Sequence, residues 1–323
     1  MTDLILTNGD TAADLLAAAG KTGTIEPWRD VLHEGPVVAE LAAASKLRID
    51  YLARRFRLNV AEVAASFAER DALVRNHAAF DRIELWFEHD LFDQLQLLQI
   101  LAFFAETGRT EGLTLVQADQ FLGMQTAATI LRFAANARPI DQDDLSLARD
   151  VWSDVTAPEP RRVARRLGAP DGRLPFLKPA LRRFLEELPA PKTGLGRTEA
   201  TALLGIADGI DNPRELFREV LTAEEAAFMG DLSFFRLLDD LAFCEVPLIA
   251  GLDPPGDRED ADRYGDAILE LTMAGDDVAN GEEDHIQLSG LDRWWGGTHL
   301  VGHTVWRWDA ASMTLVPPAA PGA

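Results

Sequence analysis

The sequence predicts an α/β N-terminal half, a mainly helical connection and an α+β C-terminal half. Over residues 1–140, short apolar segments alternate with longer helical ones, the pattern of a parallel sheet with right-handed crossovers. After residue 190, three helical segments precede short strands, an order that predicts a winged-helix-like module. The length of 323 residues allows two domains.

The first predicted unit is a strand followed by a helix. Leu4–Thr7 is apolar and predicts a buried strand, and Asn8–Gly9 turns the chain. Asp10 or Thr11 is expected to cap the helix, with Asp14 completing a variant of the capping box.

The rest of the N-terminal half repeats this alternation. Strands are expected at 24–26, 82–87 and 113–117, and helices at 39–57, 60–76 and 91–107. Asp90 can cap the last of these helices, with Asp93 in its first turn.

The C-terminal half has a different character. Prolines interrupt a helical stretch at 141–188, and 189–194 resembles a linker. Helices are then expected at 197–204, 213–221 and 223–243, strands at 247–249 and 267–272, and a hairpin within 294–308. The predicted divisions are an N-terminal domain at 1–140, a helical connection at 141–189, an α+β domain at 190–316 and a disordered tail at 317–323.

Composition restricts the class of protein. The formal charge is −22, and residues 180–323 carry 11 Lys and Arg against 27 Asp and Glu, a net charge of −16 that disfavours nucleic acid as a partner. The single cysteine, Cys244, excludes an internal disulfide and has an apolar context that predicts core packing. No apolar run reaches the roughly 18 residues of a membrane span, and the N-terminus does not resemble a secretory signal. We therefore expect a cytoplasmic protein without a membrane partner.

One basic segment contrasts with the acidic remainder. Arginines recur at 161, 162, 165, 166, 173, 182 and 183. They either clamp the acidic half to the rest of the chain or form a phosphate-binding face.

Three polar blocks follow three predicted parallel strands, so their side chains should meet at one edge of the sheet. The first contains Asp10, the second Asp30, His33 and Glu34, and the third Glu88, His89 and Asp90. We expect these blocks to line a single cavity.

Several chemistries fit such a site. Histidines with carboxylates could hold zinc, manganese or iron, although no local metal motif is present. A histidine beside an acid could instead serve as a general base, and a carboxyl group desolvated by tryptophan as a general acid. The turn at residues 8–11 could hold an anion on free N–H groups, but its single glycine argues against a dinucleotide. The structural alternative is that Asp90 caps a helix and His89 ties two loops together.

The C-terminal half offers a second class of function. The candidate recognition helix at 224–243 has one basic residue, Arg236, which argues against DNA binding. Its apolar side chains are expected to pack against the first domain or a second subunit. His299 and Arg307 belong to a polar–aromatic cluster that either pairs within its strands or closes over the N-terminal site.

The blocks Asn8–Asp10, Trp28–Pro36 and Trp86–Gln94 resemble the signature segments of a bacterial family, the domain of unknown function 1835 family. Residues 180–310, including Phe228–Asp231 and Trp306–Trp308, are similar to its usual C-terminal companion domain. The resemblance implies a Rossmann-like N-terminal half with a shared site, and no substrate.

The leading hypothesis is a small-molecule site at the strand ends, in a hydrolase or transferase acting on a nucleoside-like or phosphorylated compound. The alternative is a non-enzymatic, ligand-sensing regulator whose second domain contacts a protein or nucleic acid. A protein partner or homo-oligomer and a divalent metal remain open. The candidate catalytic residues are His89, Glu88, His33 and Glu34, and the candidate ligand-binding residues are Asn8, Asp10, Thr11, Trp28, Arg29, Asp30, Asp90, Asp93, Gln94, His299 and Arg307.

Overall fold

The computed structural model describes residues 2–170, 172–256 and 259–319. The chain forms two compact units, unit 1 at Met1–Leu181 with Gly296–Thr298, and unit 2 at Arg182–Trp295 with His299–Ala323. The predicted disordered tail lies outside the described residues from residue 320 onward.

Unit 1 contains a five-stranded, mostly parallel sheet. Its strands are β1 Asp3–Thr7, β2 Thr24–Pro27, β3 Arg82–Phe87, β4 Leu113–Gln117 and β5 Arg138–Pro139. The spatial order is β2-β1-β3-β4-β5, in which the first four strands are parallel and β5 runs antiparallel to β4. The predicted strands and their parallel pairing are confirmed. The apolar residues of β1 are buried, as expected for a strand covered on both faces.

Helices connect and cover these strands. Those that begin in unit 1 are α1 Asp10–Ala18, α2 Leu41–Arg55, α3 Val60–Arg75, α4 Leu91–Thr107, α5 Gln142–Val155, α6 Arg161–Arg166 and α7 Leu177–Glu186, which runs on into unit 2. Helix α4 is buried along most of its length and packs against α5. Asp90 caps α4 as predicted, and Gly108 ends it in the left-handed conformation with φ 74°.

The predicted cap of α1 is wrong. The helix begins at Asp10, so the N-cap is Gly9, which has no side chain to accept a hydrogen bond. Thr11 therefore lies inside the first turn, and neither it nor Asp10 caps the helix.

Unit 2 combines helices with three short two-stranded sheets. Its elements in chain order are α8 Arg197–Ala207, α9 Pro213–Thr222, α10 Asp231–Ala242, β6 Ile249–Ala250, α11 Asp260–Asp266, β7 Glu270–Leu271, α12 Met273–Ala279, α13 His285–Ser289, β8 Leu291–Trp295, β9 Thr298–Gly302 (of which Thr298 belongs to unit 1), β10 Arg307–Asp309 and β11 Thr314–Val316. The sheets pair β6 with β7, β8 with β9 and β10 with β11. The helix expected at 223–243 is shorter, because residues 223–230 are not helical and Gly230 is the N-cap of α10.

Six arginines of residues 161–183 pair with carboxylates, namely Arg161, Arg162, Arg166, Arg173, Arg182 and Arg183. Arg166 Nε donates to Asp154 at 2.7 Å, and Arg173 Nε donates to Asp144 at 3.0 Å. Both pairs lie within residues 144–173, so they do not join the acidic half of the chain to the rest. Among the described residues, no helix has both the length and the apolar character needed to cross a bilayer.

Candidate functional site

Three buried carboxyl groups lie together where β3 passes into α4. Glu88, Asp90 and Asp93 each offer an oxygen within 4.8 Å of the other two, and none is more than 3% exposed. In the described part of the chain they form the only group of three or more His, Cys, Asp or Glu side chains close enough to share an ion. No ion pair in that part includes them. We call these three residues the carboxylate cluster.

Hydrogen bonds from three parallel strand ends fix the cluster. Asn8, which follows β1, donates from Nδ2 to Asp93 Oδ2 at 2.9 Å. The N–H of Leu122, beyond β4, donates to Glu88 Oε1 at 2.6 Å. The N–H of Glu88 donates to Asp93 Oδ1 at 2.5 Å, and the N–H of Asp93 donates to Asp90 Oδ1 at 3.1 Å.

Gln94 is attached to the same segment. Its Nε2 donates to the carbonyl oxygen of Glu88 at 2.6 Å, which sets the orientation of the carboxamide. Its Oε1 is buried without a hydrogen-bond partner among the described residues. A buried acceptor without a donor is destabilising, so this oxygen calls for a functional explanation.

Burial raises the pKa of all three carboxyl groups. Burial, followed by the charge of Glu88, raises the pKa of Asp90 to about 8. Burial, followed by the charges of Asp90 and Glu88, raises the pKa of Asp93 well above its usual value. Burial also raises the pKa of Glu88, against the opposing effect of the hydrogen bonds from Leu122 and Asn8. The cluster therefore needs protons or a cation to offset its charge.

The carboxylate cluster lies at the carboxyl ends of β1 and β3. Strand β2 lies on one side of β1 and β3 on the other, so the crossovers diverge between β1 and β3. Open α/β sheets bind ligands outside the carboxyl ends of their strands at such a point. Asn8 follows β1 and Glu88 follows β3, which places the cluster there.

The start of α1 lies at the same edge. Gly9 has extended backbone with φ 177°, and an added Cβ would meet no atom within 4 Å. The first N–H groups of α1 have no side-chain cap from Gly9. They are therefore suited to an anion.

His89 lies between two aromatic rings. Its ring centroid is 5.2 Å from that of Phe121 and 5.9 Å from that of Phe176. Burial lowers its pKa, while the charge of Asp119 acts in the opposite direction. Its Nδ1 is buried without a hydrogen-bond partner in the described chain.

The block after β2 is held by buried arginine contacts. Arg48 donates from Nε to Asp30 Oδ1 at 2.8 Å and from its two terminal nitrogens to the carbonyl oxygens of Glu34 and Val31, at 2.6 and 2.7 Å. Trp28 is fully buried and donates from Nε1 to Gln99 at 3.0 Å. We call Arg48, Asp30 and the carbonyl groups of Val31 and Glu34 the Arg48 clamp. These contacts give Trp28 and Asp30 a role in stabilising the fold.

Glu34 and His33, the other two candidates after β2, contact side chains of neighbouring helices. Glu34 accepts from Arg55 Nε at 3.2 Å and from the hydroxyl of Tyr51 at 3.4 Å. His33 is buried with its ring 6.1 Å from that of Phe92.

Asp10 and Arg29 form an exposed pair. Arg29 NH2 donates to Asp10 Oδ1 at 2.6 Å, and Arg29 NH1 donates to Ser66 at 3.3 Å. The hydrogen bond from Arg29 lowers the pKa of Asp10. Thr11 is exposed in the first turn of α1.

The two C-terminal candidates have partners within unit 2. His299 stacks on Trp294 at a centroid distance of 4.4 Å and contacts Asp292 through Nε2 at 2.7 Å. Arg307 pairs with Asp284 at 2.7 Å and donates to the carbonyl oxygen of Ala190 at 3.0 Å. Pairing of β9 with β8 accounts for His299. Arg307 is instead held by an acid and a carbonyl oxygen outside the strands.

Cys244 is only half-buried. Its thiol lies 3.1 Å from the carbonyl oxygen of Val246. Burial raises its pKa, which makes the thiol a weak nucleophile.

Of the predicted site residues, the structure thus joins five by direct contacts: Asn8, Glu88, Asp90, Asp93 and Gln94. The backbone N–H group of Leu122 was missed, because a main-chain donor leaves no mark in the sequence. No known protein family matches the chain, and a search of curated proteins finds no relative either.

Proposed function

We propose that unit 1 is a hydrolase or transferase for a small phosphorylated or nucleoside-like compound, with its reaction at the carboxylate cluster. One observation carries this proposal: three buried carboxyl groups, none of which forms an ion pair among the described residues, lie at the point where the crossovers of the sheet diverge. Burying like charges is costly, and apolar residues would serve packing better. Raised pKa values at strand ends are typical of sites that bind or transfer protons.

A hard divalent cation fits this set of donors. All of the candidate ligand atoms are oxygens, which suit Mg²⁺ or Mn²⁺ better than zinc. Glu88, Asp90 and Asp93 would hold the ion, with Gln94 Oε1 as a neighbouring oxygen. A bound cation would polarise a phosphoryl or hydroxyl oxygen of the substrate.

The surrounding groups have complementary roles in this proposal. The N-terminus of α1 would hold the phosphate on its free N–H groups, in the open space above Gly9. Asn8 keeps Asp93 oriented. His89, which stands between Glu88 and Asp90 in the sequence and whose pKa is lowered by burial, is the candidate base, since a neutral imidazole can accept a proton.

The test is thermal melting of the full chain in a chelator, with Mg²⁺ or Mn²⁺, and with a nucleoside monophosphate added to each. A ligand at about 100 times its Kd adds about 2.7 kcal/mol to the free energy of unfolding, which is a shift of several degrees. We expect such a shift for the wild type and its loss in Glu88→Gln. The exposed Glu111→Gln is the matched control and should behave as the wild type. The proposal fails if no cation or phosphate shifts the wild type.

We infer a Rossmann-like, doubly wound unit 1 from its parallel strands and from the divergence of its crossovers between β1 and β3; its order β2-β1-β3-β4-β5 is the flavodoxin-like one. We infer a winged-helix-like unit 2 from helices α8–α10 followed by short sheets. Duplex DNA is a poor partner for unit 2, because Arg236 is buried and paired with Asp239. We place the protein in the cytoplasm from its single cysteine.

A further inference from the structure

A long connection joins β4 to β5 in unit 1. It covers residues 118–137, all of which the structure describes, and it contains neither a strand nor an α-helix. Its only regular parts are the 3₁₀ segments Leu122–Met124 and Ile130–Asn136. Connections longer than about 12–15 residues are uncommon in compact domains unless they are disordered or have a function, such as an active-site lid.

Within this connection, residues 119–129 form a flap that is anchored at both ends. Ala118 and Ile130, which flank the flap, are fully buried in one hydrophobic cluster. Of the flap residues only Leu122 is buried, and it belongs to the same cluster. Apart from its bonds to Glu88, the hydrogen bonds of the flap within the described chain join flap residues to one another or to the few residues that follow.

The flap contacts the three parts of the proposed site. The N–H of Leu122 donates to the carboxylate cluster at 2.6 Å. The ring centroid of Phe121 lies 5.2 Å from that of His89, the candidate base. Gly123 faces the first turn of α1, because a Cβ added to it would lie 3.6 Å from Cγ2 of Thr11. One short segment therefore touches the cluster, the candidate base and the helix start that would hold the phosphate.

The carboxylate cluster is closed in this structure. Its three side chains are at most 3% exposed, so a substrate could not reach a cation held among them. Enzymes that bind their substrate in a closed site open a loop to admit it and close the loop to exclude water. Because the flap is held by one buried side chain, it can open at a much lower cost than unfolding of the sheet.

We propose that the flap at residues 119–129 is a lid, which opens to admit the cation and the substrate and is held closed by Leu122. The inference rests on the proposed function of the carboxylate cluster. Burial raises the pKa of Glu88, and the N–H of Leu122 opposes this effect while the flap is closed. When the flap opens, Leu122 leaves its hydrophobic cluster and Glu88 loses this donor. The rate of binding at the cluster therefore depends on how firmly Leu122 is buried.

Amide hydrogen exchange of the full chain in a chelator tests the opening directly. The reporter is the N–H of Leu122, which is buried and hydrogen-bonded in the closed flap. We expect it to exchange at least about 100-fold faster than the central amides of α4, at a rate that low urea concentrations leave unchanged, because local opening exposes little surface. The proposal is overturned if both exchange at one rate with one urea dependence, because the flap would then open only when unit 1 unfolds.

Leu122→Ala tests the contact that holds the flap closed. The truncation favours the open flap, so Mn²⁺ should bind the full chain at least about tenfold faster in stopped-flow tryptophan fluorescence. Leu145→Ala removes an equally buried leucine side chain from α5 and is the matched control, which should bind at the wild-type rate. Thermal melts verify that both variants fold.

Equal binding rates in Leu122→Ala and Leu145→Ala would also overturn the proposal. A wild type that binds no cation would reject the proposed function instead, and the exchange rate of the Leu122 N–H would still decide whether the flap opens.

Discussion

Asp90→Asn should make the protein less sensitive to rising pH. Asp90 carries a raised pKa of about 8 because it is buried next to Glu88, whereas its pKa in the unfolded chain is near 3.8. Asparagine keeps an oxygen for the N–H of Asp93 and offers an amide donor towards Glu88. The variant thus removes the buried ionisation and retains the helix cap.

Proton linkage determines whether the free energy of unfolding rises or falls with pH. A group whose pKa is raised on folding contributes stability that is complete below the unfolded value, near pH 3.8, and that is lost as the pH rises through about 8. Between pH 5 and pH 7 the contribution of Asp90 falls by up to about 1.4 kcal/mol per pH unit. Over that window the wild type should lose on the order of 3 kcal/mol that the variant keeps.

Urea denaturation of the full chain in a chelator, at pH 5, 6 and 7, measures this difference. Asp14→Asn, an exposed change of the same type on α1, should follow the wild type. With Mg²⁺ or Mn²⁺ the wild type should regain stability most at high pH, because the cation competes with protons for the carboxylates. Parallel pH profiles for wild type and Asp90→Asn would refute the buried-proton reasoning.

Three further substitutions test the surroundings of the site. Gly9→Ala should leave the melting temperature unchanged, because the backbone is extended and the space is open, while it weakens any phosphate binding seen by titration. Arg48→Met should lower the free energy of unfolding by about 3–5 kcal/mol in urea, since it leaves Asp30 buried and unpaired; a loss below about 1 kcal/mol would contradict this. Gly35→Ala should cost roughly 2–4 kcal/mol, because φ is +77° and the added Cβ would lie 2.3 Å from the ring of Tyr51; an unchanged melt would show that this ring can move.

The sequence predicted the parallel strands and the start of α4 well. Strands such as Arg82–Phe87 have an apolar character set by burial on both faces, and Asp90 is a strong cap signal. The start of α1 was predicted less well. Asp10 and Thr11 are both residue types that cap helices, and only the position at which the helix begins shows that the N-cap is Gly9.

The candidate site was predictable only in part. Parallel topology predicted that Asp10 would meet the residues after β3, whereas the contact from the end of β1 is made by Asn8, and Asp10 pairs with Arg29. The same reasoning could not foresee Arg48, which lies in the middle of a helix and contacts Asp30 across 18 positions of sequence. Long-range side-chain pairs of this kind depend on how the helices pack, and that is not encoded by local periodicity.

Because of the Arg48 clamp, the sequence of the segment Trp28–Pro36 in another chain would report on its fold and not on its activity. Its tryptophan and its first acid are tied by the needs of folding, through Gln99 and Arg48. A chain that kept this segment but replaced Glu88 or Asp93 would retain the same frame and lose the proposed chemistry. Identity in the sequence of this segment would therefore indicate a common fold. The residues after β3 would instead distinguish a chain with the proposed activity from one without it.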